Sequence, residues 1–234
     1  MSIILYNHEA GSTSSQKVRL CLHYKELDYE SVNIDLYKHQ NQSSEYLKIN
    51  RHGLVPTLIH NTNVIKEANL INEYLDRVFK KKPLLPQDPL LLYQVQYLCK
   101  RQEYINEQCL RYLSYKCSGR ASTLTTDKIE NHPQLDRRKF LRKLKNGLSD
   151  KDVLEIEHYL VNELEYLNVK LSKHDWLCGS NYTLADLSWT VSIYRLEELG
   201  KINLIHDNKL DYLIDWYTKV RNMDNFVVMH MLRA

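Results

Sequence analysis

Ten residues, KKKPLLPQDP at 80–89, hold three of the chain's five prolines. Proline lacks an N–H and fixes φ, so no helix runs through such a stretch and the connection it makes is stiff. The sequence differs in kind on its two sides. Before it, SIILY (2–6) reads as a short strand, SSQKVRLCLHYKE (14–26) as a helix burying Val18, Cys21 and Leu22, and YESVNID (29–35) as an alternating strand. PTLIH (56–60) and NVIK (63–66) read as two strands joined by a tight Asn-containing turn. EANLINEYLDRVF (67–79) reads as a helix burying Leu70, Ile71, Tyr74, Leu75 and Val78. After the prolines no strand pattern survives. Residues 90–115 suit one long helix and 153–171 another, with Val153, Ile156, Leu160, Leu164, Leu167 and Leu171 at steps of three and four. TLADLSWTVSIYRLEEL (183–199) is apolar on nearly every face, which places it at the centre of a bundle. These patterns predict an α/β unit at 1–79, a linker at 80–89 and an all-helical domain at 90–234.

With 43% hydrophobic residues, a chain of 234 can bury a substantial core. Its 32 basic and 29 acidic side chains nearly cancel, which argues against a nucleic-acid partner on charge. No basic leader precedes a long apolar run, and no apolar stretch approaches the roughly 18 residues that span a bilayer. Five cysteines without C-x-x-C spacing suggest neither a disulfide framework nor a zinc site, and fit a reducing cytoplasm. The ten histidines show no metal-ligand spacing, so no metal is expected. Residues 116–150 stand apart as polar and weakly periodic. RRKFLRKLK (137–145) carries six cations around Phe140, Leu141 and Leu144. Such a run is ordinarily a solvated helix or ordered insertion; the alternative is a basic amphipathic helix that makes a peripheral contact with an anionic membrane or a partner.

Taken together, the α/β half, the proline-rich linker, the helical half, GLVPTL before KEANLINEYLD, and WLCGSNYTLADLSWTVSIYRLEELG resemble a glutathione transferase. The resemblance covers the chain outside 116–150. It is strongest to the ganglioside-induced differentiation-associated protein class and to the bacterial tetrachlorohydroquinone dehalogenase-like branch, both of which carry an insertion at that place. It implies a thioredoxin-like N-terminal domain, an all-α C-terminal domain, glutathione as co-substrate, a small hydrophobic electrophile as its partner in the reaction, and a homodimer.

The resemblance also implies a site. Serine-class members place the thiol-activating hydroxyl six residues before the valine of KVR, which here is Ser12. Holding a thiol mostly ionised at pH 7 requires its pKa, near 8.5, to fall by roughly two units, about 2.7 kcal/mol. One hydroxyl donated to a charged acceptor contributes roughly 1.5–3 kcal/mol and a helix N-terminus about 0.3–1 kcal/mol. Ser12 is therefore expected to meet the thiol, with Ser14 or Ser15 capping the helix. Ser14 stands where the dehalogenase-like enzymes carry a nucleophilic cysteine, and Tyr6 matches the tyrosine of other classes; both are rivals for the thiol. In such folds Pro56 is cis and Val55 offers its peptide to the cysteinyl unit of glutathione as an added strand does. Glu67 matches the residue that helps to hold the γ-glutamyl group. Ala68 replaces the usual Ser or Thr, removing one hydrogen bond worth roughly 1.5–3 kcal/mol unless Asn69 or backbone N–H groups compensate. Lys38, His39, Arg51 and His52 lie in the region that meets the glycyl carboxylate. Tyr97, Arg101, Tyr104 and Gln108 are expected to line the electrophile pocket. Thr183 and Asp186 read as a capping box with a role in folding.

Overall fold

The computed structural model describes residues 2–9, 11–118 and 124–227. Strands β1 (Ile3–Asn7), β2 (Glu30–Asn33), β3 (Thr57–His60) and β4 (Asn63–Lys66) form one mixed sheet in the order β2-β1-β3-β4. β1 is parallel to β2 and antiparallel to β3, and β3 is antiparallel to β4. A parallel pair needs a crossover, which α1 (Thr13–Tyr24) supplies. It buries Val18, Cys21 and Leu22 as its periodicity requires. Helices α2 (Ser44–Ile49) and α3 (Ala68–Val78) complete this thioredoxin-like half.

In α3 the pattern is only half honoured. Ile71 and Leu75 are fully buried, but Leu70 is 57% and Val78 40% exposed. The helix carries two apolar stripes, Ile71–Leu75 and Leu70–Tyr74–Val78, each at steps of four. Ile71 and Leu75 lie in the core and Tyr74 packs half-buried against it, while Leu70 and Val78 stay outside, and sequence alone does not say which stripe turns inward.

A buried ion pair clamps the proline-rich connection. Lys25 Nζ lies 2.7 Å from Asp76 Oδ1 and donates to the carbonyls of Lys81 (2.9 Å) and Lys82 (3.2 Å). Asp76 accepts in turn from the N–H groups of Leu84 and Leu85. The chain then enters α4 (Pro89–Ile105), capped by Asp88. The single helix expected over 90–115 is interrupted by a π turn at Asn106–Leu110 before it resumes as α5 (Arg111–Ser118). Then follow α6 (Thr126–Glu130), α7 (Leu135–Lys145), α8 (Asp150–Leu171), α9 (Leu184–Glu198), α10 (Asn203–His206) and α11 (Asp211–Arg221). Every residue of α9 from Leu184 to Leu196 is buried, and Trp189 Nε1 donates to the Leu98 carbonyl of α4 at 3.1 Å. Thr183 and Asp186 form the expected capping box.

At 137–145 the structure has the ordered insertion rather than the alternative docking surface. Phe140, Leu141 and Leu144 are buried with Leu124 and Ile129, and Tyr112, Tyr115 and Leu148 pack on this second small core. An amphipathic helix whose apolar stripe is already covered has no stripe left for lipid. Most of its cations are engaged as well. Arg142 grips Glu130 with two hydrogen bonds, Lys143 pairs with Asp152 at 3.2 Å, Lys139 with Asp136 at 3.6 Å, and Arg138 donates to the His132 carbonyl at 2.6 Å. Arg137 turns elsewhere. Among the described residues no helix is long and apolar enough to cross a membrane.

Candidate functional site

Between the two halves lies an open cleft of about 1330 Å³, floored by the start of α1. Ser12 is the N-cap of that helix, and its hydroxyl oxygen accepts from the Ser15 N–H at 3.3 Å. The expected cap, Ser14 or Ser15, is thus corrected to Ser12, because the helix opens at Thr13, one residue earlier than its apolar pattern indicates. A serine hydroxyl that accepts one bond still has its own proton to donate. Ser12 lines the cleft, and no acceptor within the described residues takes that proton. Ser14 also lines it, at 3.5 Å from Asn106 Nδ2. Ser15 is fully buried and accepts from the His8 N–H. Tyr6 is not a lining residue and packs its ring 6.0 Å from that of Tyr46.

Opposite the serines, the Val55–Pro56 peptide is cis. The N–H and C=O of Val55 make no hydrogen bond among the described residues, and Val55 lines the cleft. The loop is held from behind, where Tyr46 Oη and Asn50 Nδ2 both donate to the Leu54 carbonyl, at 2.6 and 2.9 Å. Next to it Glu67 sits at φ +65°, a region that costs an L-residue of order 1–3 kcal/mol and is held only where surroundings enforce it. Its side chain makes no cap bond. The first N–H groups of α3 are therefore open beside a carboxylate, with Ala68 leading the helix. Asn69 does not replace the missing hydroxyl. Its Oδ1 accepts from Lys17 Nζ at 2.5 Å and its Nδ2 donates to the Cys99 carbonyl.

Of the four basic residues near the glycyl end, only His39 lines the cleft. Burial, followed by the Lys128 charge, pushes its pKa down. His52 lies outside the lining, as do Lys38 and Arg51. Lys17 is 3% exposed on the cleft floor, hydrogen-bonded also to Gln102 Oε1 at 2.8 Å. Burial lowers its pKa.

On the helical side the sequence picks the wrong face. Arg101 is bound to Glu163 and lies over the Tyr166 ring, Tyr97 stacks on Tyr93, and Tyr104 and Gln108 line a separate, shallower depression. The cleft wall is Glu103, Asn106, Glu107, Arg111 and Ser114. Both sets repeat at three and four, so periodicity alone cannot choose between them. The π turn, a feature that often marks functional positions, sits in the middle of this wall. The 116–150 segment roofs it. His132, Arg137 and Leu141 line the cleft, and Gln42 Nε2 donates to the Lys128 carbonyl at 3.4 Å. Pro133 packs so closely on Gly53 (φ +60°) that a Cβ there would lie 3.2 Å from its Cγ.

Known proteins share this fold and parts of this sequence. Residues 1–77 match the family described as glutathione S-transferase, N-terminal domain. Glutathione S-transferase 1 of Dianthus caryophyllus is 43% identical over 77 residues, a match that covers 33% of this chain and 35% of that protein. LigF of Sphingobium sp. strain SYK-6 is 28% identical over 197 residues, 80% of this chain and 76% of its own. The crystal structure of that protein, a beta-etherase, superposes with a TM-score of 0.85 at 25% identity over 99% of each chain. A tetrachloro-p-hydroquinone reductive dehalogenase of Sphingobium chlorophenolicum is 24% identical over 238 residues, covering 96% of this chain and 94% of that one.

Proposed function

We propose that this chain, whose residues 1–77 match the glutathione S-transferase N-terminal domain, is a glutathione transferase that activates the thiol of glutathione for attack on an electrophilic carbon. The observation that carries this reading is the convergence, in one cleft, of the Ser12 hydroxyl, the unpaired Val55 peptide and the open N-terminus of α3 beside Glu67. Val55 would pair with the cysteinyl unit as an added strand. The α3 N–H groups and Glu67 would take the zwitterionic γ-glutamyl end, the amides its carboxylate and Glu67 its ammonium. His39 would meet the glycyl carboxylate. The thiol then lies near Ser12, whose O–H and helix dipole hold it as thiolate after its proton leaves to solvent. The sulfur forms a bond to the electrophilic carbon, and the leaving group departs with its electron pair. In this reading residues 1–79 bind the tripeptide and residues 90–234 bind the electrophile, in a reducing cytoplasm where all five cysteines stay free, as they are here. A thiol-disulfide cycle lacks its nucleophile, since no cysteine lines the cleft among the described residues. Calorimetric titration with glutathione tests the proposal. Saturable binding at one site per chain is expected, and the absence of binding would remove it.

The chain is further proposed to pair with a second copy. The uncovered residues of α3 support this, since Leu70 (57% exposed) and the stacked Tyr93 and Tyr97 (61% and 41% exposed) stand on two helices, α3 and α4, that the Gln96–Glu73 bond joins. A patch of that kind on a folded chain calls for a partner surface. Light scattering should show twice 27.9 kDa at micromolar concentration; a species of 27.9 kDa alone would count against pairing.

A further inference from the structure

The wall that faces the thiol is less apolar than a hydrophobic electrophile requires. Arg111 from α5 and Arg137 from α7 both line it, with guanidinium carbons 5.6 and 5.5 Å from the centroid of the same Phe140 ring. They come from separate elements and converge only because the insertion folds back over α5. Arg137 has no carboxylate within ion-pairing distance among the described residues. Arg111 has only Glu107, 3.8 Å away and half-exposed, so solvent shares that carboxylate. Two guanidinium groups on one ring repel each other, and among the described residues neither is neutralised by a close ion pair although Glu67, Glu103 and Glu107 line the same cleft; guanidinium is suited to bidentate capture of a carboxylate. Burial lowers the pKa of both, that of Arg111 to about 9 with Arg137 as a further cause, against the opposing charge of Glu107.

The geometry points to Arg111 and Arg137 as the subsite that seats an anionic group, a carboxylate or phenolate, on the electrophile itself. This deepens the transferase reading and rests on it. Glutathione also carries carboxylates, but residues on the thioredoxin-like side, the α3 N-terminus and His39, already face its two ends.

The test uses two conjugates that require no turnover to bind, S-(dinitrophenyl)glutathione and its ring-carboxylated counterpart, titrated alongside glutathione. The wild-type chain should bind the carboxylated conjugate about ten- to a hundred-fold more tightly than the neutral one. Arg111→Met and Arg137→Met, which keep an apolar stem on Phe140, should each cut that preference by about ten-fold and leave glutathione affinity unchanged. Arg137→Lys should restore part of it, and folding of each variant is read from its melting curve. Equal affinity of the wild type for both conjugates would overturn the inference. So would an equal loss for glutathione and both conjugates in the variants, since the arginines would then hold the tripeptide. If glutathione binds while the preference is absent, this inference alone fails; if glutathione does not bind, the transferase reading falls and takes this one with it.

Discussion

Replacing Ser12 by alanine is expected to slow turnover at neutral pH by about ten- to a hundred-fold. A hydroxyl donated to a thiolate contributes roughly 1.5–3 kcal/mol, which corresponds to a rise of about one to two units in the pKa of the bound thiol when it is removed. Glutathione affinity should change far less, because Val55 and the α3 N-terminus stay in place. The same hydroxyl also caps α1 by accepting from the Ser15 N–H, so Ser12→Ala should cost about 0.5–2 kcal/mol of stability as well. Ser14→Ala removes only a 3.5 Å contact with Asn106 and should leave both properties nearly unchanged. Thermal melts and thiolate titrations of the two variants separate the roles. A pKa shift in Ser14→Ala but not in Ser12→Ala would transfer the thiol contact to Ser14.

The largest effect on stability is expected at Asp186. Its carboxylate, fully buried, accepts from the N–H groups of Leu177 and Thr183, from the Thr183 hydroxyl, and from Trp216 Nε1 on α11, all at 2.9–3.0 Å. Burial pushes its pKa up, and these four donors oppose that push. Asp186→Ala would strand all four donors away from water at the start of the central helix. Each unsatisfied buried group costs roughly 1–3 kcal/mol, so a loss of about 3–5 kcal/mol follows even with partial relaxation. For a chain of this size that lowers the melting temperature by about 6–20 °C. Calorimetry of the variant checks this, and a shift under about 2 °C would mean that the box is not what fixes α9.

What was legible in the sequence and what was not divide along one physical line. The apolar helix α9 folds as its pattern reads, whereas α1 buries Gln16, Lys17, Arg19 and Leu20 along with the expected Val18, Cys21 and Leu22. Where a helix offers two stripes, periodicity cannot rank them. That is why Leu70 and Val78 proved exposed, and why the cleft wall is Glu103, Glu107 and Arg111 rather than Tyr97, Arg101 and Gln108. Ser12, Val55 and Glu67 are expected from the family resemblance carried by KVR, GLVPTL and KEANLI, and all three line the cleft, whereas His39 is one of four basic residues that no spacing ranks. His52 shares its neighbourhood with such a motif yet stays outside the cleft. Arg137 reads as one of six like cations, and only the fold of 116–150 over α5 separates it from the other five. No local signal records that long-range packing.

One measurement bears on thiol activation without relying on any particular electrophile. The ultraviolet absorbance of the thiolate is followed against pH for glutathione bound to the wild-type chain and to Ser12→Ala. Below the ordinary thiol pKa near 8.5, the bound wild-type thiol should already be ionised, with a midpoint about two units lower, and in Ser12→Ala that midpoint should climb back by one to two units. A bound thiol that titrates near 8.5 in both proteins would contradict the proposal, leaving Ser12 as a helix cap and nothing more.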